Sequence, residues 1–159
     1  MTNGNDHDND GDRCRNGPLA RHRRPEGAGD AAVAAAGKFS EALETTERAR
    51  GHLYTFHQLT GTADLALDEV LGLLRSAGRD DLAEEVRREL LGRNVLPGRW
   101  TFQIVEEYDE GYHRVFRELE QRVRDELTAG RTHVFEAEMK ERRRTRGEPG
   151  HGAVPGDGE

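Results

Sequence analysis

All nine aromatic residues of this chain lie between Phe39 and Phe135, and this placement limits where a hydrophobic core can form. Residues 1–37 and 147–159 are rich in Gly, Asp, Arg and Pro, and they contain no aromatic side chain. Segments of this kind gain too little apolar burial to offset the entropy lost when a chain is ordered. We therefore predict disordered tails over 1–37 and 147–159, with the AAVAAA run at 31–36 lacking a packing partner, and one folded domain over 38–146.

Apolar residues in this domain recur with the helical period of 3.6, and no segment alternates with the period of a strand. The pattern predicts helices at about 38–76, 81–92, 101–128 and 132–146, ended by Gly78, Gly92 and Gly130. Gly51 and Gly61 lie inside the first helix, and each weakens a helix by about 1 kcal/mol relative to Ala. A kink or break near Gly61 is therefore expected. The fold class predicted is all-α.

The helix lengths predict a long antiparallel helical hairpin, or a small bundle of three to four helices. The first helix, with about 38 residues, spans about 57 Å. The second and third helices together are about as long, so they can cover it as one return arm broken by the Pro97-Gly98 turn. The stripe predicted to face inward on the third helix is Val105, Tyr108, Tyr112, Val115, Leu119 and Val123. A single layer of long amphipathic rods leaves apolar surface uncovered, which favours self-association as a coiled-coil-like homodimer.

Charge and cysteine content argue against several functional classes. Residues 38–146 hold 22 acidic and 19 basic residues, a net charge of −3 with both signs interspersed, whereas a nucleic-acid binder concentrates basic residues. The basic run Arg142 to Arg146 suits the end of a helix, where cations oppose the macrodipole. Cys14 is the only cysteine, so no intramolecular disulfide can form. The first residues show no signal-peptide pattern, and no apolar run could span a bilayer. We expect a cytoplasmic protein without a membrane partner.

Three polar residues, His57, Thr60 and Asp64, interrupt the apolar face of the first helix. In an antiparallel register they would face Tyr108 and Asp109 on the third helix. Polar groups that face a core must find partners, or each costs about 1–3 kcal/mol. One interpretation is a structural hydrogen-bond network that fixes helix register. The other is a ligand-binding site formed by these five residues, or a metal site in which His57, Asp64 and Asp109 bind zinc or iron with His113 in reserve.

The spacing Glu106-x-x-x-Glu110-x-x-His113 places three further polar residues on one helix face. Glu-x-x-His is the helical signature of carboxylate-bridged di-iron bundles, but those sites need the motif twice plus two more glutamates, and residues 38–146 hold it once. The three residues also point away from the predicted apolar stripe and have salt-bridge partners in Arg114 and Arg117. They are predicted to form a solvated, charged face. His133 and Glu136 are interpreted in the same way, as a surface contact.

Three segments, GHLYTFHQL at 51–59, GRNVLPGRWTFQIVEE at 92–107 and HVFEAEMKERRRTR at 133–146, resemble a family of short helical proteins from GC-rich bacteria. The resemblance covers about 50–146 and implies an all-helical fold, while it supplies no activity, substrate or site. The chain also lacks a P-loop, GxGxxG, GxSxG or HExxH motif. We therefore favour a non-enzymatic helical interaction module that self-associates and binds an unidentified protein partner. The alternative is a ligand- or metal-binding helical bundle built on the His/Asp cluster.

Overall fold

The computed structural model describes residues 17–154, and the fold is all-α with no strand among them, as predicted. A short 3-10 turn at Ala20–His22 precedes the helices, and a π-helical turn interrupts the third of the predicted helices. In chain order the helices are α1 (Asp30–Ser76), α2 (Asp80–Glu89), α3 (Thr101–Tyr108), the π turn (Asp109–His113), α4 (Arg114–Thr128) and α5 (Val134–Arg143). The parts of the predicted tails at 1–16, which include Cys14, and at 155–159 lie outside the described residues.

The first helix begins at Asp30, so the prediction that residues up to 37 form a tail without packing partners was wrong for the end of that segment. Val33 is 2% exposed and Ala36 is also buried. Arg24, just before the helix, donates from Nε and Nη2 to the two carboxylate oxygens of Glu138 at 2.6 and 2.8 Å. The start of α1 is therefore held in place by the packing of small residues and by the ion pair between Arg24 and Glu138, although it has no aromatic side chain to bury.

The helix α1 runs without a break through Gly51 and Gly61, so the expected kink near Gly61 does not occur. Other predicted boundaries move by a few residues, as helix ends commonly do. The last helix, predicted to begin near residue 132, begins at Val134, and His133 before it lies in the left-handed region with a φ of 55°. Gly78 and Gly130 follow α1 and α4 with positive φ, the conformation that makes glycine suited to ending a helix.

The chain divides into two units, and α1 contributes to both. Among the described residues, the first unit holds 17–42 and 118–154. Its interior includes Val33, Ala36, Thr128 and Val134, together with the carboxylate of Glu120. That carboxylate accepts a hydrogen bond from the Ser40 hydroxyl at 2.8 Å and an ion-paired bond from Arg124 at 3.1 Å. The buried charge is therefore paired, as a carboxylate away from water requires.

The second unit, residues 43–117, is built along the remainder of α1. Side chains of α1 contact the returning chain in reverse order. The pairs, read along α1, are Glu47 with His113, Arg50 with Asp109, His57 with Thr101, and Asp64 with Gly92. Reversed order is the signature of antiparallel packing, so the predicted helical hairpin is confirmed. Its register differs from the prediction, because Asp109 lies opposite Arg50 rather than opposite Asp64.

The π turn lies between α3 and α4, and it changes which face of this helical stretch is buried. Val105 is buried and Tyr108 half-buried, as predicted, but Tyr112, Val115 and Leu119 are exposed. The inward positions beyond the turn are each one residue later in the sequence: His113, Phe116 and Glu120. A π turn holds one residue more than an α turn and so rotates everything after it by about 100° relative to the continued α pattern. The predicted stripe was therefore correct before the turn and wrong after it.

Two glycines of α1 provide a matched test of the packing of α5 on α1. A Cβ built at Gly51 meets nothing within 4 Å, whereas one at Gly37 meets the Phe135 Cβ at 3.0 Å. We expect Gly51→Ala to raise stability by about 0.5–1 kcal/mol through helix propensity. Gly37→Ala should stabilise less or destabilise, because the same gain is offset by the close contact. Thermal denaturation followed by circular dichroism measures both. An equal rise in melting temperature for the two variants would contradict the docking of α5 on α1.

Candidate functional site

The three polar residues singled out in α1 lie together on the wall of one cleft in the second unit. The cleft has a volume of about 440 Å³. His57, Thr60 and Asp64 are all half-buried, which agrees with the helix phase predicted from the sequence. The lining is completed by residues of α1 and of the segment that connects α2 to α3: Gly61, Ala63, Leu67, Leu90, Arg93, Asn94, Val95, Trp100 and Thr101. The walls are therefore mainly apolar, and a few polar groups converge on them.

Hydrogen bonds from α1 hold the connecting segment in place. The Nδ1 atom of His57 lies 2.7 Å from the hydroxyl of Thr101. The backbone N–H of Gly92 donates to Oδ1 of Asp64 at 2.8 Å, and the indole Nε1–H of Trp100 donates to the carbonyl of Gly92 at 3.3 Å. Gly92 has a φ of +68°, a conformation that favours glycine. The segment that forms one wall of the cleft is thus attached to α1 at two points, two helical turns apart.

Tyr108 and Asp109, predicted to face these residues, belong to a separate cluster. Asp109 accepts bonds from Nε and Nη2 of Arg50 at 2.6 and 2.8 Å, and a third from the Tyr54 hydroxyl at 3.2 Å. The guanidinium of Arg50 also lies 4.9 Å from the centre of the Tyr54 ring. The hydrogen bonds from Arg50 lower the pKa of Asp109 below its ordinary value, and Asp109 in turn raises the pKa of Arg50. Both groups therefore remain charged at neutral pH.

His113 adjoins this cluster and is only 5% exposed. Its Nε2 atom lies 2.8 Å from a carboxylate oxygen of Glu47, and its ring stacks on Tyr108 with 6.2 Å between ring centres. Burial raises the pKa of Tyr108, so its hydroxyl is neutral at physiological pH. The prediction that His113 lies on a solvated face was wrong, because the π turn rotates it inward. Glu106 and Glu110 are exposed, as predicted.

The residues predicted as metal ligands are not assembled into one site. Of these four, His57 and Asp64 line the cleft, Asp109 pairs with Arg50, and His113 pairs with Glu47. Within residues 17–154, no group of three or more His, Cys, Asp or Glu side chains is placed to hold a metal ion. His133 and Glu136 lie 4.0 Å apart, as an exposed pair.

Sequence reasoning missed the second wall of the cleft. Trp100, Thr101 and Arg93 complete the lining, and none of them was predicted as a site residue. One signal was present, because Trp100 is the only tryptophan of the chain and it sits next to a Pro-Gly turn. In the structure the indole of Trp100 donates to the carbonyl of Gly92 and lines the cleft. The identity of the partner depended on a tertiary contact that periodicity does not specify.

A second candidate surface lies on the outer side of α1. Apolar residues there follow the heptad spacing of a coiled-coil seam, displaced by about a third of a turn from the cleft residues. The exposed members of this outer stripe are Phe56, Leu59, Ala63, Ala66, Val70 and Leu73. Leu59 and Leu73 are 64% and 62% exposed, which is unusual for leucines in a repeating pattern.

The basic run lies at the end of α5, as predicted. Arg142 and Arg143 occupy its last turn, and Arg144 follows as the capping residue. The guanidinium of Arg144 is nearly buried and donates to Glu141 at 2.7 and 3.0 Å. Part of the run is therefore engaged within the first unit. No helix in the described part of the chain has the length and apolarity needed to cross a bilayer.

Comparisons with known proteins supply no relative. No family model matches the chain, and neither the curated proteins nor the solved structures contain a significant match.

The contact between Asp64 and Gly92 can be tested with a conservative pair of substitutions. Asp64→Ala removes the acceptor of the Gly92 N–H and should destabilise by about 1 kcal/mol. Asp64→Asn keeps an oxygen that can accept the same bond, so it should cost clearly less. Urea denaturation measures both. Equal losses for the two variants would indicate that the charge of Asp64, rather than its hydrogen bond, stabilises the segment.

The ion pair between Arg50 and Asp109 should make stability depend on pH. The pKa of Asp109 is lower in the folded state, so its contribution is present at neutral pH and is lost as pH falls through that lowered pKa. Asp109→Asn should therefore destabilise by about 1–3 kcal/mol at pH 7. The difference from the parent protein should narrow below pH 4. Denaturation curves at pH 7 and pH 3 check this, and a constant difference would contradict the assignment.

Proposed function

We propose that this protein is a non-enzymatic helical interaction module that forms a homodimer through the outer stripe of α1. The observation that carries the proposal is the continuous heptad pattern of exposed apolar residues from Phe56 to Leu73. Burial of one such leucine is worth about 1.5–3 kcal/mol, so a seam left in water would be a large unsatisfied apolar surface. A second helix packed along it is the arrangement that heptad spacing supports.

The charge pattern around the stripe favours a second copy as the partner. Charged residues make up 35% of the chain, yet within residues 56–73 they are limited to Asp64, which lines the cleft, and to Asp68 and Glu69, neither of which belongs to the stripe. A face with so little charge does not repel an identical face. The hydroxyls of Thr55 and Thr62 flank the stripe and donate to the carbonyls of Gly51 and Gln58 at 3.0 Å. Because those hydroxyls are already bonded, removing water from them costs little.

The order of side chains along the stripe is self-complementary in the antiparallel direction. A two-fold axis between residues 64 and 65 would place Phe56 against Leu73, Leu59 against Val70, and Ala63 against Ala66. Large residues then meet at the two ends, and alanines meet at the centre, where they let the helices approach. Isologous contact of this kind is the commonest route to a closed dimer. The proposed dimer requires no disulfide. Its location in the cytoplasm stays a prediction from the sequence.

Two matched substitutions test the dimer. Leu59→Glu places a charge in the seam twice per dimer and should weaken dimerisation at least about a hundredfold. Leu65→Glu is the control, because Leu65 is 73% exposed on the same helix but lies outside the stripe. Sedimentation velocity from about 1 to 100 μM measures the dissociation constant. A monomeric parent protein at about 50 μM, or equal effects of the two variants, would refute the proposal.

Helix direction can be tested separately with spin labels at Arg75→Cys and Leu65→Cys in a Cys14→Ser background. In an antiparallel dimer Leu65 lies near the axis and Arg75 about 10 residues from it. The pair of labels at 75 should therefore be about 30 Å apart along the helix axis, while the pair at 65 is close. In a parallel dimer the two sites would give similar distances. Double electron–electron resonance distinguishes these outcomes.

A further inference from the structure

The charges in the cleft limit the kind of molecule it can take. Asp64 and Arg93 are the only Asp, Glu, Lys or Arg residues in its lining, and they have opposite signs. Each already has a partner, because Asp64 accepts the Gly92 N–H and Nη1 of Arg93 donates to the Glu89 carbonyl at 3.1 Å. The Glu89 carboxylate also lies 4.0 Å from Arg93. The two charges of the lining cancel, so the cleft carries no net charge that would favour an ionic ligand over a neutral one.

The shape and walls of the cleft suit a small ring-bearing molecule. Leu67, Leu90, Val95 and the indole of Trp100 provide apolar surface on several sides. A volume of about 440 Å³ falls in the range of small-molecule pockets, about 300–1,000 Å³. His57 and Asp64 are two helical turns apart, so the polar ends of the cleft are separated by about 10 Å. That distance matches the length of a molecule of two or three fused or linked rings.

One polar group on the wall is available to orient such a molecule. The Nδ1 atom of His57 is engaged with Thr101, which leaves Nε2 as the ring nitrogen that can meet a ligand. A neutral imidazole nitrogen can donate or accept according to its tautomer. A hydroxyl or amine on the ligand would complement either state.

We propose that the cleft between α1 and the segment joining α2 to α3 binds an uncharged aromatic molecule that carries one hydroxyl or amine group directed at His57. This site shares only Ala63 with the dimer seam, and neither proposal requires the other. Recognition rests on apolar burial against Trp100 and the leucines, with a single hydrogen bond for orientation. The protein would then be an interaction module that also holds a small ligand in each subunit.

A pair of dyes with the same aromatic body tests the charge preference. N-phenyl-1-naphthylamine is neutral, and 8-anilino-1-naphthalenesulfonate carries one negative charge. We expect the neutral dye to bind at least tenfold more tightly, measured by energy transfer from Trp100, the only tryptophan of the chain. Tighter or equal binding of the sulfonate would overturn the proposal. Absence of neutral-dye binding up to its solubility limit would also overturn it.

Two glycine substitutions test the location of the bound dye. Gly61 lines the cleft and a Cβ there meets nothing within 4 Å, so Gly61→Leu adds bulk to the cleft rim without a backbone clash. Gly51→Leu is the matched control on the same helix, away from the lining. Neutral-dye affinity should fall at least tenfold in Gly61→Leu and stay unchanged in Gly51→Leu. Unchanged affinity in Gly61→Leu, with helix content retained by circular dichroism, would place the dye elsewhere and overturn the proposal.

A second variant tests the orienting hydrogen bond and does not depend on the folding of Gly61→Leu. His57→Leu keeps an apolar side chain of similar size in α1 but removes Nε2. The affinity for 1-naphthol should fall about tenfold, the usual effect of losing one hydrogen bond in a pocket, while the affinity for naphthalene should not fall. Equal changes for the two probes would show that His57 does not recognise the ligand, and would overturn the proposed role.

Discussion

The fold depends on the pairing of polar groups along the inward face of α1. A purely apolar stripe would let the returning chain slide by a helical turn, because one leucine can replace another. Here Arg50, His57 and Asp64 each require a different partner, and each finds one at a different point of the antiparallel chain. Every fully buried side-chain nitrogen and oxygen in the described residues has a hydrogen-bond partner. The register of the returning chain against α1 is therefore specified by hydrogen bonds, while burial of apolar side chains supplies the favourable free energy of packing.

The sequence predicted α1 well because its period is regular. The inward positions Leu53, His57, Thr60, Leu67 and Leu71 all follow from a spacing of three and four residues. For the third predicted helix, the inward face was predicted correctly only as far as Tyr108. The π turn that follows contains no proline, and its single glycine is not a specific signal, so nothing local indicates an extra residue in the helix. Its effect was large, because it moved His113 and Glu120 inside and left Tyr112, Val115 and Leu119 outside.

The start of α1 shows the limit of another criterion. Counting aromatic residues excluded Asp30 to Gly37 from the folded domain, since that segment has no aromatic side chain. None of the nine aromatic side chains is buried, however, whereas Val33 and Ala36 are. Alanines bury little area each, yet they allow a neighbouring helix to come close, and the Gly37 contact with Phe135 illustrates that closeness. The ion pair between Arg24 and Glu138 adds a directional contact that composition cannot reveal. Small-residue packing and ion pairs are thus the part of such a fold that sequence patterns underestimate.

The same helix presents two surfaces of different character, and this difference is the basis for assigning them different roles. The inward surface mixes polar and apolar side chains, so it suits a cleft in which a few hydrogen bonds orient a small molecule. The outer stripe is apolar and uncharged over several turns, so it suits a large, geometrically regular partner such as another helix. Ala63 belongs to both surfaces, at the rim of the cleft and near the centre of the stripe. A bulky residue at that position would disturb both sites at once, whereas Leu59 and Gly61 affect one each. Leu59 lies in the outer stripe, whereas Gly61 lies in the cleft lining. Substitutions at these two positions therefore allow dimerisation and ligand binding to be measured independently in one protein.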